Sequence, residues 1–245
     1  MSTQYESLKT ATLYPDVFRV AAPALSVERK VWPRQPGVFI RAAKDEETGE
    51  AEEVQEVQEA AGADKPARAL PSHELVAGQF GLVPRWVKSV SDAKLRSTKL
   101  VNVRSETVTT SSNFRDAWLA GQRCIVPMMA FFEDDWRSGK AVPTRIARVD
   151  GKPMGVAGLW ESWTGAEGEL IVSYTLLTVN ANSHALMSRY QQPGNEKRML
   201  AILNEGAYDA WLGARHEKAR EFMRAYPANW LHANPVEKKP LGIIH

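Results

Sequence analysis

The sequence predicts a single α+β domain that is rich in β-structure, with distorted, barrel-like antiparallel sheets and peripheral helices. Short segments of β-branched and aromatic residues recur between turn residues, which is typical of strands. Segments with helical spacing are few and short, and prolines interrupt much of the remainder. A chain of 245 residues with 44% hydrophobic residues can bury one full core. We therefore expect one domain over residues 1–245.

Seven segments carry the strand prediction. They are Pro36–Ala43, His73–Pro84, Arg123–Phe132, Thr144–Val149, Met154–Trp163, Ser173–Asn182 and Met199–Leu203. Asp150–Gly151 separates the fourth segment from the fifth and predicts a hairpin between them. Glu133 follows the apolar run of the third segment and is expected to stand at the end of its strand.

Helices are expected mainly near the surface. Residues 13–32 predict a short helix or loop leading into a strand, and Ser89–Lys99 is polar and predicts a loop. Phe114–Ala120 has helical spacing, with Gly121 as its stop signal. Ala207–Leu212 and Glu217–Ala225 predict short helices near the C-terminus.

Charge is strongly segregated along the chain. Residues 45–64 hold nine acidic residues and no Lys or Arg, so the rest of the chain carries a net charge of +11. We interpret residues 45–68 as a mobile acidic insertion between two strands. A basic body suits a polyanion such as nucleic acid, although a generic soluble surface explains the charge equally well. The insertion could act as an internal polyanion mimic that shields a basic groove.

Composition excludes several classes of function. Cys124 is the only cysteine, so an intramolecular disulfide and a thiolate metal cluster are excluded, and its apolar neighbours favour a buried thiol. No apolar run is long enough for a membrane span, and the N-terminus lacks a signal-peptide pattern. We expect a cytoplasmic protein that is a monomer and needs no metal or cofactor.

Four sequence blocks suggest a site. The chain begins MSTQYE, and residues 79–88 read QFGLVPRWVK. NVRSET follows at residues 102–107, and RCIVPMMAFFED at residues 123–134. The order and spacing of these blocks closely resemble the SRAP family, whose members cross-link covalently to abasic sites in single-stranded DNA. The resemblance implies the SRAP fold and extends to the AYDAWL block at residues 207–212.

The resemblance places Ser2 where the family has a cysteine that is exposed by removal of the initiator Met. In the family, the amine and thiol of that cysteine condense with the ring-opened sugar to give a thiazolidine. A free α-amine has an unperturbed pKa of about 7.7–8.0 and can form a Schiff base with an aldehyde. A hydroxyl is a far weaker nucleophile than a thiolate, so Ser2 is expected to weaken a stable cross-link.

Three further residues match the catalytic positions of the family. Glu133 matches the glutamate that shuttles protons, and burial should raise its pKa. Asn102 matches an asparagine whose amide can hold the N-terminal residue or the sugar. Gln191 stands where the family has a histidine, and an amide cannot exchange a proton near pH 7. His184 could replace that histidine only if its loop folds back.

DNA contacts are expected from four residues. Arg104 suits a phosphate contact, with Glu106 as the residue that orients it. Trp86 corresponds to an aromatic residue that packs against bases, and Arg85 lies beside it. Arg198 matches a family arginine and could contact phosphate.

The sequence leaves two classes of function open. One is an abasic site processing protein of the DNA damage (SOS) response that reacts through the Ser2 amine, and the family is also described as a peptidase. The other is a degenerate member that binds single-stranded or damaged DNA without covalent capture. Ordering of Ser2 beside Asn102 and Glu133 would favour chemistry, and a frayed N-terminus would leave only binding. An engineered change at position 2 is a further alternative.

Overall fold

The computed structural model describes residues 1–43 and 72–236, so the acidic insertion predicted at residues 45–68 lies outside the described residues. These residues form thirteen strands and five short α-helices. The strands are β1 (Tyr5–Glu6), β2 (Lys30–Val31), β3 (Pro36–Ala42), β4 (His73–Phe80), β5 (Asn102–Arg104), β6 (Arg123–Met128), β7 (Ala130–Asp135), β8 (Val142–Arg148), β9 (Met154–Thr164), β10 (Leu170–Asn180), β11 (Arg198–Leu200), β12 (Ile202–Leu203) and β13 (Leu231–Pro235). The helices are α1 (Leu13–Phe18), α2 (Val90–Ser97), α3 (Arg115–Leu119), α4 (Tyr208–Leu212) and α5 (His216–Ala219).

The strands form two sheets, and the larger one closes on itself. Strands β10, β4, β3, β6 and β9 pair in that order, and β9 pairs back to β10. All of these pairings are antiparallel except β10 with β4. The smaller sheet has the order β13-β8-β7-β1-β2. This architecture confirms the predicted β-rich α+β class with barrel-like sheets.

The third predicted strand is in fact two strands in different sheets. The apolar run divides at Met129, so β6 lies in the larger sheet and β7 in the smaller one. The Met129 backbone N–H donates instead to the carbonyl of Glu6. Glu133 consequently lies within β7 and not at a strand end, which corrects the sequence interpretation. Crossing between the sheets places Glu133 beside the N-terminal strand.

The predicted hairpin at Asp150–Gly151 is wrong. The turn exists, and Gly151 has a φ of +73°, but β8 and β9 pair in separate sheets. Strand β9 forms its hairpin with β10 instead. A local turn signal specifies a change of direction, whereas pairing depends on which apolar faces are buried together.

Ser89–Lys99 is a helix and not the predicted loop. The Ser89 hydroxyl accepts the Asp92 backbone N–H and caps the first turn of α2. Asp92 and Arg96 form an ion pair one turn apart. A capping residue and an i,i+4 pair were therefore the missed signals. The expected helix over Glu217–Ala225 is shorter, since α5 is followed by a 3-10 turn at Arg220–Phe222.

The N-terminal segment is built into the smaller sheet. Strand β1 lies between β7 and β2, and Tyr5 is opposite Phe131 on one side and Val31 on the other. The Tyr5 side chain is buried, and its hydroxyl lies 2.5 Å from the hydroxyl of Tyr174 on β10. This contact ties the N-terminal strand to the barrel.

Gly37 leaves the space that this pair of tyrosines occupies. A Cβ at Gly37 would overlap the Tyr174 hydroxyl and lie 2.7 Å from that of Tyr5. We expect Gly37→Ala to lower the free energy of unfolding by about 1–3 kcal/mol, because both rings are enclosed by the core. Urea denaturation measures the change. Gly206→Ala is the matched control, since a Cβ there meets nothing within 4 Å, and an equal loss in both variants would contradict this packing argument.

Candidate active site

A pocket of about 710 Å³ opens where the N-terminus meets β7 and the segment before β11. Its walls combine residues that are far apart in sequence. They are Met1, Thr3, Gln4, Trp32, Arg104, Phe132, Glu133, Asp134, Trp136, Pro143, Gln191, Gln192, Asn195, Glu196 and Arg198. Four residues of the sequence prediction line it, namely Glu133, Gln191, Arg104 and Arg198.

Ser2 is fixed immediately beneath this pocket. It is 2% exposed, and its hydroxyl donates to the Phe132 carbonyl at 2.8 Å. The Asn102 side-chain amide donates to the Ser2 carbonyl at 2.6 Å. The Met1 amine lies 3.5 Å from the Glu133 carboxylate, and the Ser2 backbone N–H is among the groups that lower the pKa of that carboxyl. Ser2, Asn102 and Glu133 are therefore brought together where the N-terminal amine meets the carboxylate.

Burial controls the acidity of Glu133. The side chain is inside the protein, and loss of solvation raises the pKa of its carboxyl to about 7. The N-terminal amine, the Ser2 N–H and the Gln191 side chain oppose that rise by favouring the charged form. A carboxyl with this pKa can both give and accept a proton near neutral pH.

Gln191 is held in an uncommon backbone conformation beside Glu133. Its φ is +68°, and its backbone N–H donates to the Asp134 carbonyl at 2.9 Å. Its side-chain amide donates to the Arg198 carbonyl and accepts the Arg198 N–H. The same side chain lines the pocket with Glu133 and lowers the pKa of that carboxyl. Gln191 thus joins β7 to β11 through hydrogen bonds and adds no titratable group beside the carboxylate.

His184 does not replace the missing histidine. One ring nitrogen accepts the Met187 backbone N–H at 2.9 Å, and the other lies 2.7 Å from the Tyr226 carbonyl. Both ring nitrogens therefore have backbone partners, and His184 does not line the pocket. The alternative in which its loop folds back to Glu133 is wrong.

The cations at the pocket are paired differently from the sequence expectation. Arg104 Nη1 lies 2.8 Å from a carboxylate oxygen of Glu196 and keeps a half-exposed side chain. Glu106 pairs with Arg198 and not with Arg104. Arg198 is 2% exposed and also bonds the Thr178 carbonyl. Arg198 therefore braces β11 against β10, and Arg104 is the arginine more available to a ligand.

Arg85 and Trp86 lie outside this pocket. Arg85 donates to Glu161 at 2.8 Å and also to Gln122. Trp86 is 41% exposed, and the Arg96 guanidinium lies over its ring at 4.6 Å from the ring centroid. The structure does not bring either residue to Glu133.

Two aromatic residues at the pocket were missed by sequence reasoning. Trp32 follows β2 and is exposed, and Trp136 follows β7. Both come directly after strands of the smaller sheet, whose pairing with β1 was not evident from local sequence. The position of Trp136 three residues after Glu133 was the one available signal.

Comparison with known proteins decides the family. The model of the family "SOS response associated peptidase (SRAP)" matches residues 6–240. The chain belongs to the SRAP family.

Relatives of this SRAP protein include proteins named for abasic site processing. Abasic site processing protein YoqW of Bacillus subtilis is 29% identical over 162 residues, covering 64% of this chain and 67% of YoqW. Abasic site processing protein HMCES of Gallus gallus is 27% identical over 179 residues, covering 64% of this chain and 51% of HMCES. The match therefore spans about half of the chicken protein.

The SRAP fold is also seen in a crystal structure of a protein from Bordetella bronchiseptica. That protein is 38% identical, with a TM-score of 0.80, and the match covers 96% of this chain and 100% of the other. Separately, none of the helices in residues 1–43 and 72–236 is long and apolar enough to cross a membrane.

The raised pKa of Glu133 predicts that the stability of this SRAP protein depends on pH. Between its ordinary value of 4.5 and about 7, the folded protein keeps a proton that the unfolded chain releases. Stability should therefore fall as the pH rises through this interval. Glu133→Gln removes the effect, so its melting temperature relative to the parent should increase from pH 5 to pH 8 in scanning calorimetry.

The exposed neighbour Asp134 provides the matched control. Asp134→Asn should show a nearly constant difference from the parent at the two pH values. A Glu133→Gln difference that does not change with pH would contradict the burial argument.

Proposed function

We propose that this protein, once Met1 is removed, reacts through the Ser2 amine with the ring-opened sugar of an abasic site in single-stranded DNA. The observation that carries the proposal is the position of Ser2, whose hydroxyl and carbonyl are held by Phe132 and Asn102 and whose backbone nitrogen favours the charged form of the buried Glu133 carboxylate. Removal of Met1 converts that nitrogen into an α-amine. The attacking atom and its proton acceptor are then adjacent in a pocket that opens to solvent.

The reaction proceeds by addition and then loss of water. The Ser2 nitrogen attacks the aldehyde carbon and forms a C–N bond, while the carbonyl oxygen takes a proton and becomes a hydroxyl. Glu133 accepts a proton from the nitrogen and returns one to that hydroxyl, which leaves as water. The product is a Schiff base, and its hydrolysis reverses the same steps.

Ser2 affects the lifetime of the adduct more than its formation. Addition of the Ser2 hydroxyl to the Schiff base would close an oxazolidine, which should hydrolyse more readily than the sulfur ring that a cysteine forms. Asn102 supports the reaction by holding the Ser2 carbonyl, so the amine keeps its position. Gln191 supports it by orienting the Glu133 carboxylate.

Single-stranded DNA suits the surroundings of this amine. Trp32 and Trp136 line the pocket and offer aromatic faces on which bases can stack without sequence preference. Arg104 is half-exposed and can exchange Glu196 for a phosphate. Lys30 lies over the Phe132 ring at the same wall and adds a second cation.

We expect the protein to act as a cytoplasmic monomer with one domain, without metal or cofactor.

The second candidate function is DNA binding without covalent capture. It is favoured by the two-way hydrogen bonding between Gln191 and the Arg198 backbone, which is the behaviour of a structural residue. In that case Glu133 would serve only to anchor the N-terminus. Lyase and peptidase activity would both be absent.

Variants at position 2 separate the two candidates. With single-stranded DNA carrying one abasic site, the parent should form an adduct that survives a denaturing gel mainly after borohydride reduction. Ser2→Cys should increase the adduct that survives without reductant by about tenfold or more, because the thiol closes a more stable ring.

Ser2→Ala is the matched control, because it keeps the α-amine and removes only the hydroxyl. It should give a borohydride-dependent adduct like the parent. Absence of adduct in the parent, Ser2→Ala and Ser2→Cys alike would leave DNA binding as the function.

Arg104 should contribute one phosphate contact. Arg104→Gln should weaken single-stranded DNA binding and make the slope of log K against log salt less steep by about 0.7. Fluorescence anisotropy over a salt series measures both effects. Lys152→Gln is the control. Pro143, near the start of β8, lines the pocket, whereas Lys152 follows the other end of this strand. An equal change in both variants would contradict a specific contact.

A further inference from the structure

Glu196 brings a second carboxylate into the pocket that opens above Ser2. It lies just before β11 and lines this pocket. One of its carboxylate oxygens is 2.8 Å from Arg104 Nη1, and the other is 3.3 Å from Arg198 Nη1. The Asn180 side-chain amide donates to the second oxygen at 2.7 Å. Three cationic or polar side chains therefore converge on one anion.

The three side chains that hold this anion stand on paired strands. Thr178 of β10 is opposite Arg104 of β5, and Asn180 of β10 is opposite Arg198 of β11. Arg198 is also held by Glu106 and by the Thr178 carbonyl. Because strands fix the positions of side chains more precisely than loops do, the donors should keep their arrangement when a different anion is bound.

The Glu196 side chain can leave these donors without a movement of the strands. It is 31% exposed, and the Arg104 side chain is half-exposed. The next residue, Lys197, is fixed through its backbone, because its N–H donates to the Asn182 side chain and its carbonyl accepts the Ala181 N–H. Rotation about the side-chain bonds of Glu196 is therefore sufficient, and an exposed side chain rotates rapidly.

Glu196 is an anion near neutral pH. The hydrogen bond from Asn180 and the charges of Arg198 and Arg104 lower the pKa of its carboxyl. Arginine binds carboxylates and phosphates through the same charge-assisted hydrogen bonds. The donors that hold Glu196 therefore also suit a phosphate of the DNA backbone.

We propose that Glu196 occupies a phosphate position in the free protein, and that a backbone phosphate of a bound single strand displaces it from Arg104 and Asn180. This inference rests on the proposed function, because it concerns the strand that presents its sugar to Ser2. Displacement lowers the affinity for every single strand, whereas a covalent bond at the sugar retains an abasic strand. Glu196 thereby favours the retention of abasic strands over undamaged ones.

Binding of undamaged single-stranded DNA tests this role apart from the covalent step. Fluorescence anisotropy is measured with the Met-processed full chain. Glu196→Gln should tighten binding by about threefold, the effect of removing one partly exposed ion pair that competes with the DNA. Asp134→Asn is the matched control, because Asp134 is an exposed acidic residue that lines the same pocket. It makes the same change in charge and should give a clearly smaller gain.

The same substitutions in an Arg104→Gln background separate competition from net charge. Without Arg104, release of Glu196 no longer frees a guanidinium for phosphate, so the gain from Glu196→Gln should fall to that from Asp134→Asn. The proposal is overturned if Glu196→Gln binds as the parent does. It is also overturned if the gain is equal in the two backgrounds, or equal to that of Asp134→Asn in the parent.

Adduct formation with abasic DNA is measured separately after borohydride reduction. An adduct in the parent together with unchanged affinity in Glu196→Gln refutes the role of Glu196 and supports the chemistry at Ser2. Tighter binding in Glu196→Gln without any adduct in the parent refutes the chemistry at Ser2 and supports displacement of Glu196 by phosphate.

Discussion

Pairing of the N-terminal strand on both of its edges is the constraint on which the candidate active site depends. Strand β1 lies between β7 and β2, and Ser2 just before it is buried. The chain before β1 continues along β7, so the Ser2 hydroxyl donates to the Phe132 carbonyl and the Met1 amine lies 3.5 Å from the Glu133 carboxylate. Tyr5 anchors this arrangement to the barrel through Tyr174. A chain terminus thus becomes a positioned functional group, which is uncommon because termini are usually poorly ordered.

The polar groups at this site partly offset the unfavourable free energy of burying the Glu133 carboxylate. Desolvation raises the pKa of Glu133, and hydrogen bonds from Ser2 and Gln191 recover part of the lost hydration. Because desolvation outweighs these opposing effects, the pKa rises to about 7 and the carboxyl titrates near neutral pH. A fully solvated glutamate would be too weak a base to take a proton efficiently from an amine. The burial that lowers stability therefore also gives the carboxyl the pKa that the proposed acid–base role requires.

Sequence reasoning found the groups at the site more reliably than it found their partners. Glu133, Asn102, Arg104 and Gln191 were identified by their place in short blocks. The structure brings Asn102 to Ser2 and places Glu133, Arg104 and Gln191 at one pocket. The pairing of Glu106 with Arg198 was missed, because i,i+2 spacing suggested a local partner. Trp86 was chosen for its local sequence, whereas Trp32 lines the pocket. Each error concerns which distant strands meet.

The same distinction holds for the fold. Strand segments and short helices could be predicted from residue type and turn signals. The division of one apolar run between two sheets at Met129 could not, because the run is uniformly apolar and gives no periodic change there. The closure of β9 on β10 depends on burial of whole sheet faces. Sequence rules could have identified the helix cap at Ser89, but the polar composition of the segment favoured the prediction of a loop.

Mapping of a borohydride-trapped adduct tests the central claim most directly. The Met-processed protein is reduced in the presence of an abasic oligonucleotide, digested with nuclease and trypsin, and sequenced by mass spectrometry. The account predicts that the sugar remnant lies on the α-nitrogen of the peptide STQYESLK, residues 2–9. A remnant on Lys30 or Lys197, with residues 2–9 unmodified, would contradict it.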